Sequence, residues 1–245
     1  MLALLMILAT FTGAGTAHSD DRFVVVTDSH GVGHFGEELA RWLRNRPATK
    51  FNFTASGASA PAQWNNGLFT TPCGFHDDSS IAKPEPRKCH KLLTPKLAAV
   101  WKRQGARQHD ERRITVIVLG TNYGLDPSTR KMQLADTEKL ATTAMTESDR
   151  CFWVGPPNMR RKHGFDADGV KYKVELVTEA LAAAAKATGK PVCQLIDSRS
   201  YSHYPKNGDG IHYHWPGSTD AEQLLRSAEW ADSVAKQIDL FLGAE

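Results

Sequence analysis

Cysteine is scarce in this chain, with four in 245 residues: Cys73, Cys89, Cys151 and Cys193. No two of them form a C-x-x-C pair, which argues against a zinc ribbon or a dithiol redox motif. Charge imbalance is small as well. Thirty Lys and Arg against 27 Asp and Glu leave a net +3, too little to point to a nucleic-acid partner. The clusters Arg160-Arg161-Lys162 and Arg112-Arg113 read as solvated faces or loops rather than as phosphate sites. No internal repeat or interdomain linker is visible. No apolar run reaches the roughly 20 residues that span a bilayer.

What is present describes an ordinary globular domain. The chain is 41% hydrophobic and 23% charged, with 19 Gly and 12 Pro, which suits one domain with a sizeable core over residues 18–245. Met1 to Ala17 reads as an export signal: Leu2 to Ala9 is almost wholly apolar, and Gly15-Thr16-Ala17 offers small residues for cleavage. No Lys or Arg precedes that run. The expected location is therefore periplasmic or extracellular, with no membrane span after cleavage. An oxidising compartment agrees with pairing Cys73 with Cys89 and Cys151 with Cys193; the alternative is four buried free thiols. The first bridge closes a loop whose entropy is worth about 3 kcal/mol.

Hydrophobic periodicity alternates strand and helix. Arg22–Thr27, Lys50–Ala55, Ile114–Leu119, Cys151–Val154 and Pro191–Ile196 read as five strands. A helix follows the first, carrying Val32, Phe35, Leu39, Trp42 and Leu43. Others are expected near Thr94–Gln104, Arg130–Thr146, Val170–Thr188 and Thr219–Leu242. Such alternation implies a parallel sheet covered by helices on both faces, with ligands bound beyond the carboxyl ends of the strands. Residues 65–91 break the pattern. They hold Pro72, Pro84, Pro86 and two cysteines with little periodicity, and read as a disulfide-stapled loop insertion, a flap beside the site.

Several residues at those strand ends could carry chemistry. Ser29 follows the first strand in Thr27-Asp28-Ser29-His30-Gly31. It could be a nucleophile whose N–H faces a developing negative charge at a helix start, or simply a helix cap. Asp209-Gly210-Ile211-His212 could supply a general base, His212, oriented by Asp209; the plain alternative is a turn. Gly57, after the second strand, and Asn122, after the third, could be oxyanion donors through a backbone N–H and a side-chain amide, or turn formers. His30 is at most a wall residue. His203, His212 and His214 lack zinc-ligand spacing, so no metal or other cofactor is expected. Trp64, Tyr123 and Tyr213 stand beside these segments and could stack on sugar faces or simply pack.

Taken in order, Asp28-Ser29, Gly57, Asn122 and Asp209-x-x-His212 resemble the four blocks of the SGNH hydrolases, the GDSL esterase/lipase superfamily. The resemblance runs over nearly the whole of residues 18–245. It implies a flavodoxin-like three-layer α/β/α sandwich with a five-stranded parallel sheet. It also implies Ser29 as nucleophile, His212 and Asp209 as base and orienter, and the Ser29 N–H, Gly57 and Asn122 as the oxyanion hole. Two positions depart from the pattern: Thr27 stands where the family usually has Gly, and Tyr123 where it usually has a second Asp. Trp153-Val154-Gly155-Pro156-Pro157 looks like the corresponding segment of members that act on O-acetyl groups of bacterial glycans. An exported esterase acting on an acetylated glycan, such as peptidoglycan, is the leading expectation. A glycan O-acetyltransferase, a lipase or thioesterase, and a catalytically silent glycan-binding protein are the alternatives.

Overall fold

A computed structural model describes residues 20–81, 88–161 and 164–243. The expected export signal and Lys162 lie outside the described residues. A seven-stranded sheet forms the middle layer, in the order β4-β3-β2-β1-β5-β6-β7. The strands are β1 (Asp21–Thr27), β2 (Thr49–Ser56), β3 (Thr70–Asp78), β4 (His90–Leu93), β5 (Arg112–Val118), β6 (Arg150–Val154) and β7 (Gln194–Ile196). The α-helices are α1 (His34–Asn45), α2 (Pro61–Asn66), α3 (Leu97–Arg103), α4 (Pro127–Glu147), α5 (Ala167–Thr188) and α6 (Ala221–Gly243).

β1 is central because its sequence leaves it nowhere else to go. All of Asp21–Thr27 is buried, and successive side chains of a strand point to opposite faces. Phe23 and Val25 join one core cluster with Phe35, Leu39 and Leu43 of α1 and Trp230, Val234 and Ile238 of α6. Val24 and Val26 join the other, with Leu97, Val100 and Trp101 of α3, Leu140 of α4 and Leu176 and Val177 of α5. A strand covered on both faces reads as a continuous apolar run, which is why β1 and β5 stand out in the sequence.

The expectation of a five-stranded parallel sheet is corrected: the sheet is seven-stranded and mixed. β2-β1-β5-β6-β7 run parallel, but β3 and β4 add an antiparallel edge. Both added strands come from the 65–91 segment or its margin, so that segment is not simply a loop. β3, between β2 and the edge strand β4, escaped the periodicity because Pro72 and Gly74 interrupt it, and its register with β4 shifts between Thr71 and Gly74. Residues 82–87, which include Pro84 and Pro86, lie outside the described residues.

Cys73 and Cys89 are joined across this edge, and Cys151 is joined to Cys193 at the starts of the neighbouring strands β6 and β7. No helix among the described residues is long and apolar enough to cross a membrane.

Sheet register sets the position of the site. Thr27 pairs with both Ala55 and Val118, Val118 pairs with Val154, and Val154 pairs with Ile196. The carboxyl ends of β1, β2 and β5 are therefore level. Ser29, Gly57 and Gly120 each stand two residues beyond, side by side.

Candidate active site

Asp28 caps the short 3₁₀ turn Ser29–Gly31, its carboxylate accepting the His30 N–H at 3.0 Å. The capping role considered for Ser29 thus falls to its neighbour, and the Ser29 hydroxyl is left for chemistry. The turn is tight. A Cβ on Gly31 would run into the Thr27 side chain, and one on Gly33 into the His214 carbonyl. Gly31 therefore makes the room that Thr27 occupies, which explains how a Thr is tolerated at 27.

The end of the chain returns to this turn. His212 Nε2 lies 3.0 Å from Ser29 Oγ, and His212 Nδ1 lies 2.6 Å from Asp209 Oδ2. A carboxylate can only accept, so the imidazole proton sits on Nδ1 and Nε2 is free to take the Ser29 proton. Asp209 Oδ1 also accepts the N–H groups of Ile211 and His212, each at 2.8 Å. Partial burial alone would raise this carboxyl. The hydrogen bonds from the His212 ring and from the two N–H groups outweigh it and hold Asp209 at about 2.

Tyr204, which carried no signal in the sequence, braces the same loop. Its hydroxyl accepts the Gly210 N–H at 2.7 Å and donates to the His212 carbonyl at 3.1 Å. The Arg160 and Arg161 N–H groups both reach the Gly210 carbonyl, at 2.9 and 3.1 Å. These two basic residues thus anchor the Asp209–His212 loop through their backbone.

The expected oxyanion donors fare differently. Asn122 Nδ2 donates to the Ser59 carbonyl at 2.9 Å, which fixes the amide and leaves its second hydrogen. Gly57 is corrected: its N–H is already given to the Cys73 carbonyl at 2.8 Å. The antiparallel β3, which was not expected, extends the β2 ladder past Ser56 and Gly74 and takes up that donor. Ala58, next along, is exposed with φ at +60°, and its N–H finds no acceptor among the described residues.

The three expected sugar-stacking aromatics are also corrected. Trp64, Tyr123 and Tyr213 are buried, at 0, 4 and 1% exposure, so none offers a ring face to a ligand. Trp64 donates to Ser59 Oγ, Tyr123 meets Thr137 Oγ1, and Tyr213 donates to the Asn158 carbonyl. Trp215 is the aromatic that sequence reasoning passed over. It is 42% exposed and its ring stands 4.9 Å from that of His212, edge to face. Its only sequence signal is its place three residues beyond His212. Beside it, a cavity of about 520 Å³ is lined by His34, Glu37, Lys88 and His214, among others.

Two buried titratable groups flank Ser29. Burial pushes His30 down to about 3; the ring is neutral and packs against Trp230, at 5.3 Å between centroids. Burial lifts Asp28 to about 6, against hydrogen bonds from the His30 N–H and the Thr121 side chain and the fields of His212 and Lys173. A raised carboxyl contributes stability below its unfolded value and loses it as pH rises through about 6. Asp28→Asn keeps a cap for the His30 N–H but cannot ionise. The stability of Asp28→Asn relative to wild type should therefore climb between pH 4 and 6, by a few kcal/mol at most, and level off above. Denaturant melts of both proteins across that range check this; a pH-independent difference would refute it.

No family model matches this sequence, and no curated protein does. Solved structures do share its fold. A carbohydrate acetylesterase from Sinorhizobium meliloti superposes with a TM-score of 0.53 at 11% identity, over 90% of this chain and 99% of the other. A carbohydrate acetylesterase family member from the same organism gives 0.51 at 14% identity, over 91% and 99%. An acetyl xylan esterase from the rumen bacterium Butyrivibrio proteoclasticus gives 0.52 at 11% identity, over 93% of this chain and 66% of that one. The chain therefore has the three-layer α/β fold of solved carbohydrate acetylesterases, the fold class that its resemblance to the SGNH hydrolases implied.

Proposed function

We propose that this chain is an exported serine esterase of the SGNH type that removes O-acetyl groups from a carbohydrate polymer. The observation that carries the reading is the continuous relay from Asp209 through His212 to Ser29, with contacts of 2.6 and 3.0 Å. A pre-oriented Ser-His-Asp set, with Ser29 buried and Asp209 open to solvent, at the carboxyl ends of parallel strands is built for acyl transfer.

In the proposed reaction, Ser29 Oγ attacks the ester carbonyl while His212 Nε2 takes its proton. The carbonyl oxygen becomes an oxyanion facing the Ser29 N–H and the Asn122 amide, with Ala58 in the place assigned to Gly57. Collapse breaks the ester C–O bond, and His212 returns the proton to the departing sugar hydroxyl. Water, deprotonated by His212, then releases acetate from acetyl-Ser29. No metal or organic cofactor enters these steps.

The acetylated-glycan assignment draws on the fold neighbours, and on the surroundings of Ser29. Trp215 presents an exposed ring beside the base, and a cavity lined by its chain neighbours His214 and Pro216 mixes Val32 and Cys89 with Glu37, Lys88 and two histidines, which could meet ligand hydroxyls. The two disulfides favour an oxidising, extracytoplasmic location.

Acetate release from a panel of acetylated glycans, peptidoglycan and xylan included, tests this reading. Wild type should release acetate from at least one. On that glycan, Trp215→Ala should raise KM about tenfold, about 1.4 kcal/mol, and leave turnover of a small activated acetyl ester within about twofold. Failure to release acetate from any member would remove the substrate assignment. An unchanged KM would remove Trp215 from the binding surface.

A further inference from the structure

Lys173 is fully buried, and no other lysine among the described residues is. It stands on the apolar stripe of α5, in step with Val170, Val174 and Val177, where a hydrophobic residue would be the ordinary choice. Its Nζ donates to the Thr121 carbonyl at 2.7 Å and lies 4.1 Å from the centroid of the Phe165 ring. Burying an ammonium costs several kcal/mol that one carbonyl and one ring face do not fully return. A Met in the same space would pack without that cost.

What the ammonium holds is the joint between two parts of the site. The Thr121 carbonyl belongs to the peptide that leads into Asn122, and the Thr121 side chain favours the ionised carboxyl of Asp28, the residue before Ser29. One buried cation thus braces the segment that carries the Asn122 amide, and its field also favours the carboxylate of Asp28 beside Ser29. In a low-dielectric interior its charge also acts over distance on charge that develops at Ser29.

We infer that Lys173 is a positioning residue for the esterase reaction, holding the Thr121-Asn122 segment and placing a fixed positive charge behind the oxyanion site. The inference rests on the proposed esterase reading. Lys173 touches neither substrate nor reacting atoms and acts through Thr121. The ionisable groups around it are Asp28, Asp166 at the N-cap of α5, and His30. Burial lowers the ammonium to about 8, against the fields of Asp28 and Asp166, so its charge is lost within an accessible pH range.

The test is Lys173→Met beside wild type and Ser29→Ala, read as kcat and KM for a small activated acetyl ester from pH 7 to 9.5, with thermal melts. The expected result is a kcat lower by about tenfold or more, short of the ~10²–10³ lost with an oxyanion donor itself. KM should hold within about twofold and Tm should be equal or higher. Wild-type kcat should fall as pH rises past about 8, and Lys173→Met should lack that limb. A variant that loses Tm and rate together, with the alkaline limb intact, would make Lys173 merely structural. If Lys173→Met is too unstable to assay, a wild-type kcat flat to pH 9.5 overturns the inference by itself. Wild-type rates in Lys173→Met with Ser29→Ala inactive would overturn it and leave the esterase reading standing. An active Ser29→Ala would overturn the esterase reading instead.

Discussion

Ser29→Ala should fold as the wild type does and lose turnover of an activated acetyl ester by about 10⁴-fold or more. The expectation follows from what the Oγ does and does not hold up. Its partner is His212 Nε2 at 3.0 Å; the cap of the turn is Asp28, and the backbone bond from Val32 N–H to the Ser29 carbonyl is untouched by the change. Removing the hydroxyl therefore removes the proposed nucleophile without removing a structural bond. His212 keeps its bond to Asp209, so the base stays in place. The measurement is steady-state turnover together with near-ultraviolet circular dichroism and a thermal melt. Retention of more than about a hundredth of wild-type turnover would rule out Ser29 as the nucleophile.

Asp209→Asn should cost nearly as much, about 10⁴-fold in kcat, for a different reason. The carboxylate accepts from the His212 ring and from two N–H groups. An amide at 209 can still accept the two N–H groups through its oxygen, so the loop keeps its shape. Its nitrogen then faces His212 Nδ1 as a donor. The ring must place its proton on Nε2, the atom that should receive the Ser29 proton, and the base is blocked by tautomer rather than by displacement. The outcome separates this arrangement from a simple Ser-His pair. A loss of less than about tenfold would show that Asp209 only shapes its turn.

The order of the elements was legible in the sequence, because a doubly covered strand such as Phe23–Val26 and a one-sided helix such as α6 leave opposite periodicities. Ser29 and the Asp209–His212 loop could be singled out there as candidates, since each follows an element whose end could be read, and the structure brings them within hydrogen-bond reach. The antiparallel strands β3 and β4 were not legible: backbone pairing holds them to the sheet, and backbone pairing leaves little trace in side-chain pattern. That blind spot reached the site. The pairing of Gly57 N–H with the Cys73 carbonyl, which takes the expected oxyanion donor away, exists only because β3 lies beside β2.

Burial was likewise decided in three dimensions. Trp64, Tyr123 and Tyr213 are next to the candidate site segments in sequence but point into the core, while Trp215 reaches the surface beside His212. Adjacency in the chain fixes distance along the backbone and not the direction of a side chain. Lys173 shows the converse. Its place on the apolar stripe of α5 is written in the sequence, but its reach to Thr121, 52 residues earlier in the chain, depends on α5 packing against the sheet. The sequence by itself determined which residue types could do acyl transfer, and near which strand ends. The packing of helices and antiparallel strands decided which of their N–H groups, rings and charges face the candidate site, because those contacts join segments far apart in the chain.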